Sequence, residues 1–150
     1  AEFRGDAERM GIKVERPAGE QAGGEAWHIW WPLDDDRLRA AARAMQGTHD
    51  FAGFQTQGNP RPSTVRTIRR VDVMRVGREV WIDVEGDGFL YNQVRNMVGT
   101  LIEIGRGHWP VERVGEILAS RNRALAGPIA PPHGLCLQWV RYAACVRAAV

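Results

Sequence analysis

Two cysteines, a single lysine and no long apolar run are the first things this 150-residue sequence is short of. Cys136 and Cys145 are too few for a disulfide framework, and their spacing fits no zinc motif. They read as small apolar fillers or surface thiols in a reducing, cytoplasmic setting. The four histidines (His28, His49, His108 and His133) are scattered without ligand spacing, so no metal is expected. No apolar stretch approaches the length that spans a bilayer, and the opening AEFRGDAERM is not a signal peptide. It does not begin with Met, which suggests a chain that starts inside a longer protein. GxSxG, a P-loop and a dinucleotide fingerprint are all missing, so the chemistry those motifs serve has no sequence support.

What is present is ordinary in bulk and uneven in detail. Hydrophobic residues make up 44% and charged residues 25%, as in a soluble domain with a core of its own. The net charge of +2 is too small to identify a nucleic-acid partner. The kind of base is more informative: apart from Lys13, every strong base is arginine. A chain-wide excess of Arg over Lys also follows from a GC-rich genome. The local cluster Arg61, Arg66, Arg69, Arg70, Arg75 and Arg78, with only Asp72 among it, points instead to phosphate, which the planar guanidinium fork suits.

Periodicity sets the expected elements. Residues 1–25, including the Gly/Ala/Glu-rich PAGEQAGGE, read as linker or loop. Ala26–Leu33 (AWHIWWPL) reads as a strand ended by Pro32. Asp34 is expected to cap a helix carrying Leu38, Ala41, Ala42 and Met45 at i, i+3, i+4 and i+7, with Gly47 closing it. The Asp34–Asp36 run is read as capping acid rather than a metal site. A loop follows over about 48–63. Val65–Val76 and Glu79–Glu85 then read as a hairpin turned at Gly77-Arg78, with Val80, Ile82 and Val84 on one face. Asp87 is expected to cap a helix over Leu90–Ile104 whose stripe is Val94, Met97, Val98, Leu101 and Ile102. Pro110 opens a short helix with Val111, Val114 and Leu118 inward. Leu135–Tyr142 is the last strand, and 144–150 is a tail. This order is the βαββαβ plan of an α+β, ferredoxin-like domain over 26–143, with an antiparallel sheet and helices on one face.

Arg95 is the residue out of place, at the edge of the apolar stripe. A guanidinium there needs a partner or must reach solvent. Two readings stand side by side: a structural ion pair with Asp87 or Glu85, or an arginine that keeps a catalytic carboxylate ionised.

Three stretches carry a resemblance. GDGFLYNQVRNMVGTLIEIGRG resembles the signature of the tRNA pseudouridine synthase A family. WHIWWPLDDDRLRAAARAMQGTHDFAGFQ is similar to the family's PLD…A…G.HDF..F segment, and RALAGPIAPPHGLCLQWVRY to its AGPTAP..GL.L..V.Y segment. With the basic STVRTI segment they cover residues 27–142 in order. The resemblance implies two ferredoxin-like halves sharing one extended sheet around a cleft. It implies conversion of uridine to pseudouridine in the anticodon stem-loop of tRNA, through a conserved Asp, without metal or organic cofactor. The target base must leave its stack to be reached.

Matched residue by residue, Arg95 corresponds to the arginine that pairs with the catalytic Asp. Leu135 lies beside the target base, and Phe89, Tyr91 and Asn92 are neighbouring substrate-binding positions. Arg61, Arg66, Arg69 and Arg70 fall where the family contacts RNA. The catalytic R-T-D-x-G-V-H-A motif does not occur in this sequence. The chain is therefore expected to be the C-terminal part of an enzyme, inactive alone, whose partners are tRNA, the N-terminal half of the same protein and a second subunit in a homodimer. The alternative is a non-catalytic ferredoxin-like RNA-binding module. Against it, the strand Arg78–Glu85 is acidic and lacks the aromatic RNP pattern. A small-ligand regulatory or dimerisation domain of the same fold is opposed by the arginine cluster and the VRNMVG match.

Overall fold

A computed structural model describes residues 5–15, 26–58 and 60–142. Six strands form one sheet: β1 (Gly5–Glu15), β2 (Trp27–His28), β3 (Gly47–Asp50), β4 (Val65–Val76), β5 (Glu79–Gly86) and β6 (Leu135–Tyr142). Three α-helices accompany them: α1 (Asp35–Met45), α2 (Gln93–Gly105) and α3 (Arg113–Ser120). β1 is central, with β5, β4 and β3 following on one side and β6 and the short β2 sharing the other. All pairings are antiparallel except β1 with β2. Taken as β1-α1-β4-β5-α2-β6, the order is the ferredoxin-like α+β plan expected from the sequence.

The first strand of that plan is not the one the sequence pointed to. Residues 5–15, expected as loop, form β1, whereas Ala26–Leu33 contributes only Trp27–His28. The register explains the first change: Met10, Ile12 and Val14 stand opposite Val84, Ile82 and Val80, whose side chains are all buried. Long-range pairing thus recruits a segment whose own alternation is diluted by charge. In the second case burial does not alternate, since Ile29 is buried while Trp30 is 79% exposed and Trp31 also lies open.

Helix α1 forms as its sequence dictates. The Asp34 carboxylate accepts hydrogen bonds from the N–H groups of Asp36 (2.9 Å) and Arg37 (3.1 Å), and Leu38, Ala41, Ala42 and Met45 are buried. Gly47, at φ +107°, turns the chain straight into β3, a strand inside the segment expected to be loop. Gly105 lets α1 approach the end of α2, because a Cβ there would meet Leu38 Cδ2 at 2.6 Å. Arg37 ties the same junction, donating to the carbonyls of Ile104 (3.0 Å) and Trp109 (2.8 Å).

The hairpin turns at Gly77-Arg78 as expected, with Gly77 at φ +60°. Val80, Ile82 and Val84 enter one core with the stripe of α2 and with Val114 and Ile117 of α3. Ile117, rather than Leu118, is the second fully buried residue of α3. In β4 the pairing skips Arg69: Ile68 faces Gly86 and Arg70 faces Glu85. This bulge moves the buried set from Ile68 to Val71 and Val73.

Candidate active-site wall

The start of α2 differs from expectation in a way that shapes the site. Asp87 does not cap the helix; it pairs with Arg69 at 2.5 Å. The cap position is Asn92, in the left-handed conformation at φ 58° and ψ 15°, which Asn tolerates better than most residues. Its side chain works sideways instead. The Asn92 Oδ1 accepts from Arg95 NH1 at 3.2 Å, and Nδ2 donates to Thr56 Oγ1 at 3.4 Å.

Arg95 is half-buried on the first turn of α2. Its Nε–H donates to the Ala130 carbonyl at 2.7 Å. Neither acid expected as a structural partner holds it, because Asp87 takes Arg69 and Glu85 lies 3.6 Å from Arg70. Among the described ion pairs none involves Arg95. Fixed acceptors on two sides thus hold its planar fork, and one terminal nitrogen has no bond among the described contacts.

The loop that carries Ala130 is pressed onto α2. A Cβ on Gly99 would lie 1.7 Å from the Pro128 carbonyl oxygen, and one on Gly127 would lie 2.7 Å from the Gly99 backbone. Only glycine permits these approaches. Polar contacts lock the same seam. Fully buried Asn96 donates to the Phe54 carbonyl (2.7 Å) and accepts from Arg123 NH2 (2.8 Å), while Arg123 NH1 reaches the Gly127 carbonyl at 3.0 Å. Thr100 Oγ1 accepts from the Gly127 N–H at 2.9 Å. Burial lowers the pKa of Arg123 from its usual range. Asn96, Thr56 and Arg123 were not singled out from the sequence. The available signal was an Asn and a Thr one helical turn apart, at 96 and 100, within an otherwise apolar helix.

The remaining expected residues fall around this seam. Phe89 and Leu135 are partly buried and pack against the core, whereas Tyr91 is 50% exposed. The Tyr91 carbonyl accepts from the Thr56 N–H at 3.1 Å, which joins the segment after Phe54 to the start of α2.

The four arginines divide into two pairs. Arg69 holds Asp87, and Arg70 lies 3.0 Å from Asp72, so acids already engage both. Among the described contacts, Arg66 bonds only backbone carbonyls, those of Ser63 (2.9 Å) and Val65 (2.7 Å). Its pKa is lowered first by burial and then by the nearby positive charge of Arg61. Two neighbouring guanidinium groups of this kind favour an anion between them.

The chain is a ferredoxin-like α+β unit with a fixed arginine on α2 and several more arginines on β4. A family model described as tRNA pseudouridine synthase matches residues 41–143. The tRNA pseudouridine synthase A of Acidiphilium cryptum (strain JF-5) is 49% identical over 119 residues, covering 79% of this chain and 47% of that protein. Its counterpart from Syntrophotalea carbinolica is 48% identical over 118 residues (79% and 47%), and that of Streptococcus pneumoniae (strain P1031) 42% identical over 129 residues (85% and 52%). The chain belongs to the tRNA pseudouridine synthase family, and it spans about half the length of these curated relatives.

Proposed function

We propose that this chain is the C-terminal part of a cytoplasmic enzyme that isomerises uridine to pseudouridine in the anticodon stem-loop of tRNA. The observation that carries this reading is Arg95. It is held by Ala130 and Asn92, bonded to no described acid, and corresponds to the family's arginine by the resemblance of the VRNMVG stretch. A carboxylate docking there from the other half of the enzyme meets a fork already fixed in direction. The guanidinium keeps that Asp ionised and aimed, since a neighbouring opposite charge lowers a carboxylate pKa by roughly 1–3 units. Phe89, Tyr91, Asn92 and Leu135 contact the extruded base.

The aspartate motif is not in this sequence, so the chain alone is inactive. Incubating it with tRNA labelled at uridine C5 should release no label, and robust release would overturn the reading. Of the four arginines, Arg61 and Arg66 meet RNA phosphate, while Arg69 and Arg70 brace the sheet and the loop before α2. Exposed Trp30, Val76 and Leu137 support self-association of the chain, as in a homodimer. A monomer by light scattering over a wide concentration range would remove that part.

A further inference from the structure

We infer that the groove between residues 55–58 with Pro60 and the turn at 120–124, after α3, is a binding site for unpaired RNA nucleotides next to the Arg95 site. The inference rests on the tRNA reading above and assigns residues that reading leaves unused.

The groove has a volume of about 790 Å³, in the size class of small-ligand sites. Gln57 and Gly58 line one wall, and Arg121 and Asn122 the other. No carboxylate is among its described lining residues. Asp50 pairs with Arg121 at 3.6 Å, and the Arg121 side chain remains 65% exposed. Asp50 is itself held by the Thr64 hydroxyl at 2.5 Å and the Ala52 N–H at 3.0 Å. Arg121 is thus paired with Asp50 while its exposed side chain also lines the groove. Asn122 uses Oδ1 to accept from the Ala124 N–H (2.9 Å), which leaves its amide nitrogen as a donor. Gln57 is exposed and offers both a donor and an acceptor.

The base of the groove is closely packed. A Cβ on Gly53 would stand 2.9 Å from Ile117 Cγ2 and from the Ile117 carbonyl, so the first wall's base docks directly on the end of α3. Arg123 turns inward to Asn96 and closes the floor.

The position of the groove adds direction. At one end of the first wall Thr56 bonds the Tyr91 carbonyl and Asn92; at the other, Pro60 runs into Arg61. A strand in the groove thus links the Arg61–Arg66 pair to the Arg95 site. Two amides and one guanidinium suit base edges and a single phosphate. Such edges are accessible in loops, whereas an A-form duplex presents mainly its backbone and shallow minor groove.

The test measures anisotropy of a fluorescein-labelled anticodon stem-loop, and of the loop-less duplex of the same stem, with the whole chain and two variants. Gln57→Ala should weaken stem-loop binding by about fivefold or more and leave the duplex unchanged. Arg121→Gln should weaken the stem-loop and lower its salt slope by about 1. Circular dichroism checks that each variant folds, and Gln57, being exposed, gives a test independent of the left-handed turn at Arg121. Stem-loop affinities equal to wild type in both variants would overturn the groove while leaving the tRNA reading intact. Equal losses for duplex and stem-loop would overturn the choice of unpaired nucleotides. A wild-type chain that binds neither RNA would overturn both the groove and the reading beneath it.

Discussion

Arg95 and Ala130 hold each other twice: the Arg95 Nε–H donates to the Ala130 carbonyl at 2.7 Å, and the Ala130 N–H returns a bond to the Arg95 carbonyl at 3.1 Å. The side chain and the backbone of one residue are thereby fixed to a single point on the loop before β6. This arrangement is not the structural ion pair with Asp87 or Glu85 that was one of the two readings of the sequence.

Arg95→Met in this chain should therefore destabilise by about 1.5–3 kcal/mol, the range for a hydrogen bond to a charged group. That is less than the roughly 3–5 kcal/mol lost when a buried ion pair is broken. Urea melts of the two proteins measure the difference. No loss would show that the Ala130 contact is not formed in solution.

Asn96→Ala strips partners from the Phe54 carbonyl and from half-buried Arg123 at once. A cost of roughly 2–4 kcal/mol is expected, because each group left unsatisfied carries its own desolvation penalty. Hydrogen exchange should locate the loosening in residues 52–56 and 123–130 rather than in β4 and β5. Uniform loss across the sheet would contradict it.

Gly99→Ala meets a harder limit. The added methyl would lie 1.7 Å from the Pro128 carbonyl oxygen, which is backbone and cannot rotate aside. The loop must leave α2, at more than about 3 kcal/mol. Gly115→Ala, with nothing within 4 Å of its added Cβ, serves as the control and should be tolerated. Thermal melts of the two variants should differ sharply.

Acid should act partly through Asp35. The Arg75 guanidinium bonds it and holds its carboxyl below the usual range, against an opposing effect of burial. A lowered folded pKa stabilises the fold above the unfolded pKa of about 3.9 and loses that contribution as pH falls through the folded value. The stability difference between wild type and Asp35→Asn should thus be present at about pH 6 and shrink toward about pH 2.5. A difference that does not change with pH would rule out the pair as its source.

Legibility in the sequence followed the range of the interactions. Asp34 as cap and the Leu38–Met45 stripe are local, and both were readable. So were the alternation of Val80, Ile82 and Val84 and the turn at Gly77-Arg78. β1 was not, because its alternation rests on Met10, Ile12 and Val14 alone, and it is specified by β5 and β6 on its two sides. The start of α2 was misplaced since a Gly-Asp-Gly run looks like a cap, whereas Asp87 is drawn away by Arg69 across the sheet. At the site, the importance of Arg95 was legible and its acceptors were not. One of them is a backbone carbonyl thirty-five positions along the chain, for which a sequence carries no letter.

The skipped residue in β4 has a consequence for the strand's tolerance to change. The β4–β5 register shifts at Arg69, and the residues on either side of it pair with consecutive residues of β5. Excising Arg69 would bring Ile68, Val71 and Val73 into strict alternation, so every apolar side chain would keep its inward phase. Excising Arg70 would leave Arg69 to slip into the vacated rung with the same result. Excising Val71 would instead remove an inward residue and bring Asp72 to its place in the core. The strand thus carries one spare rung, and a shortened chain can draw on it only at this point.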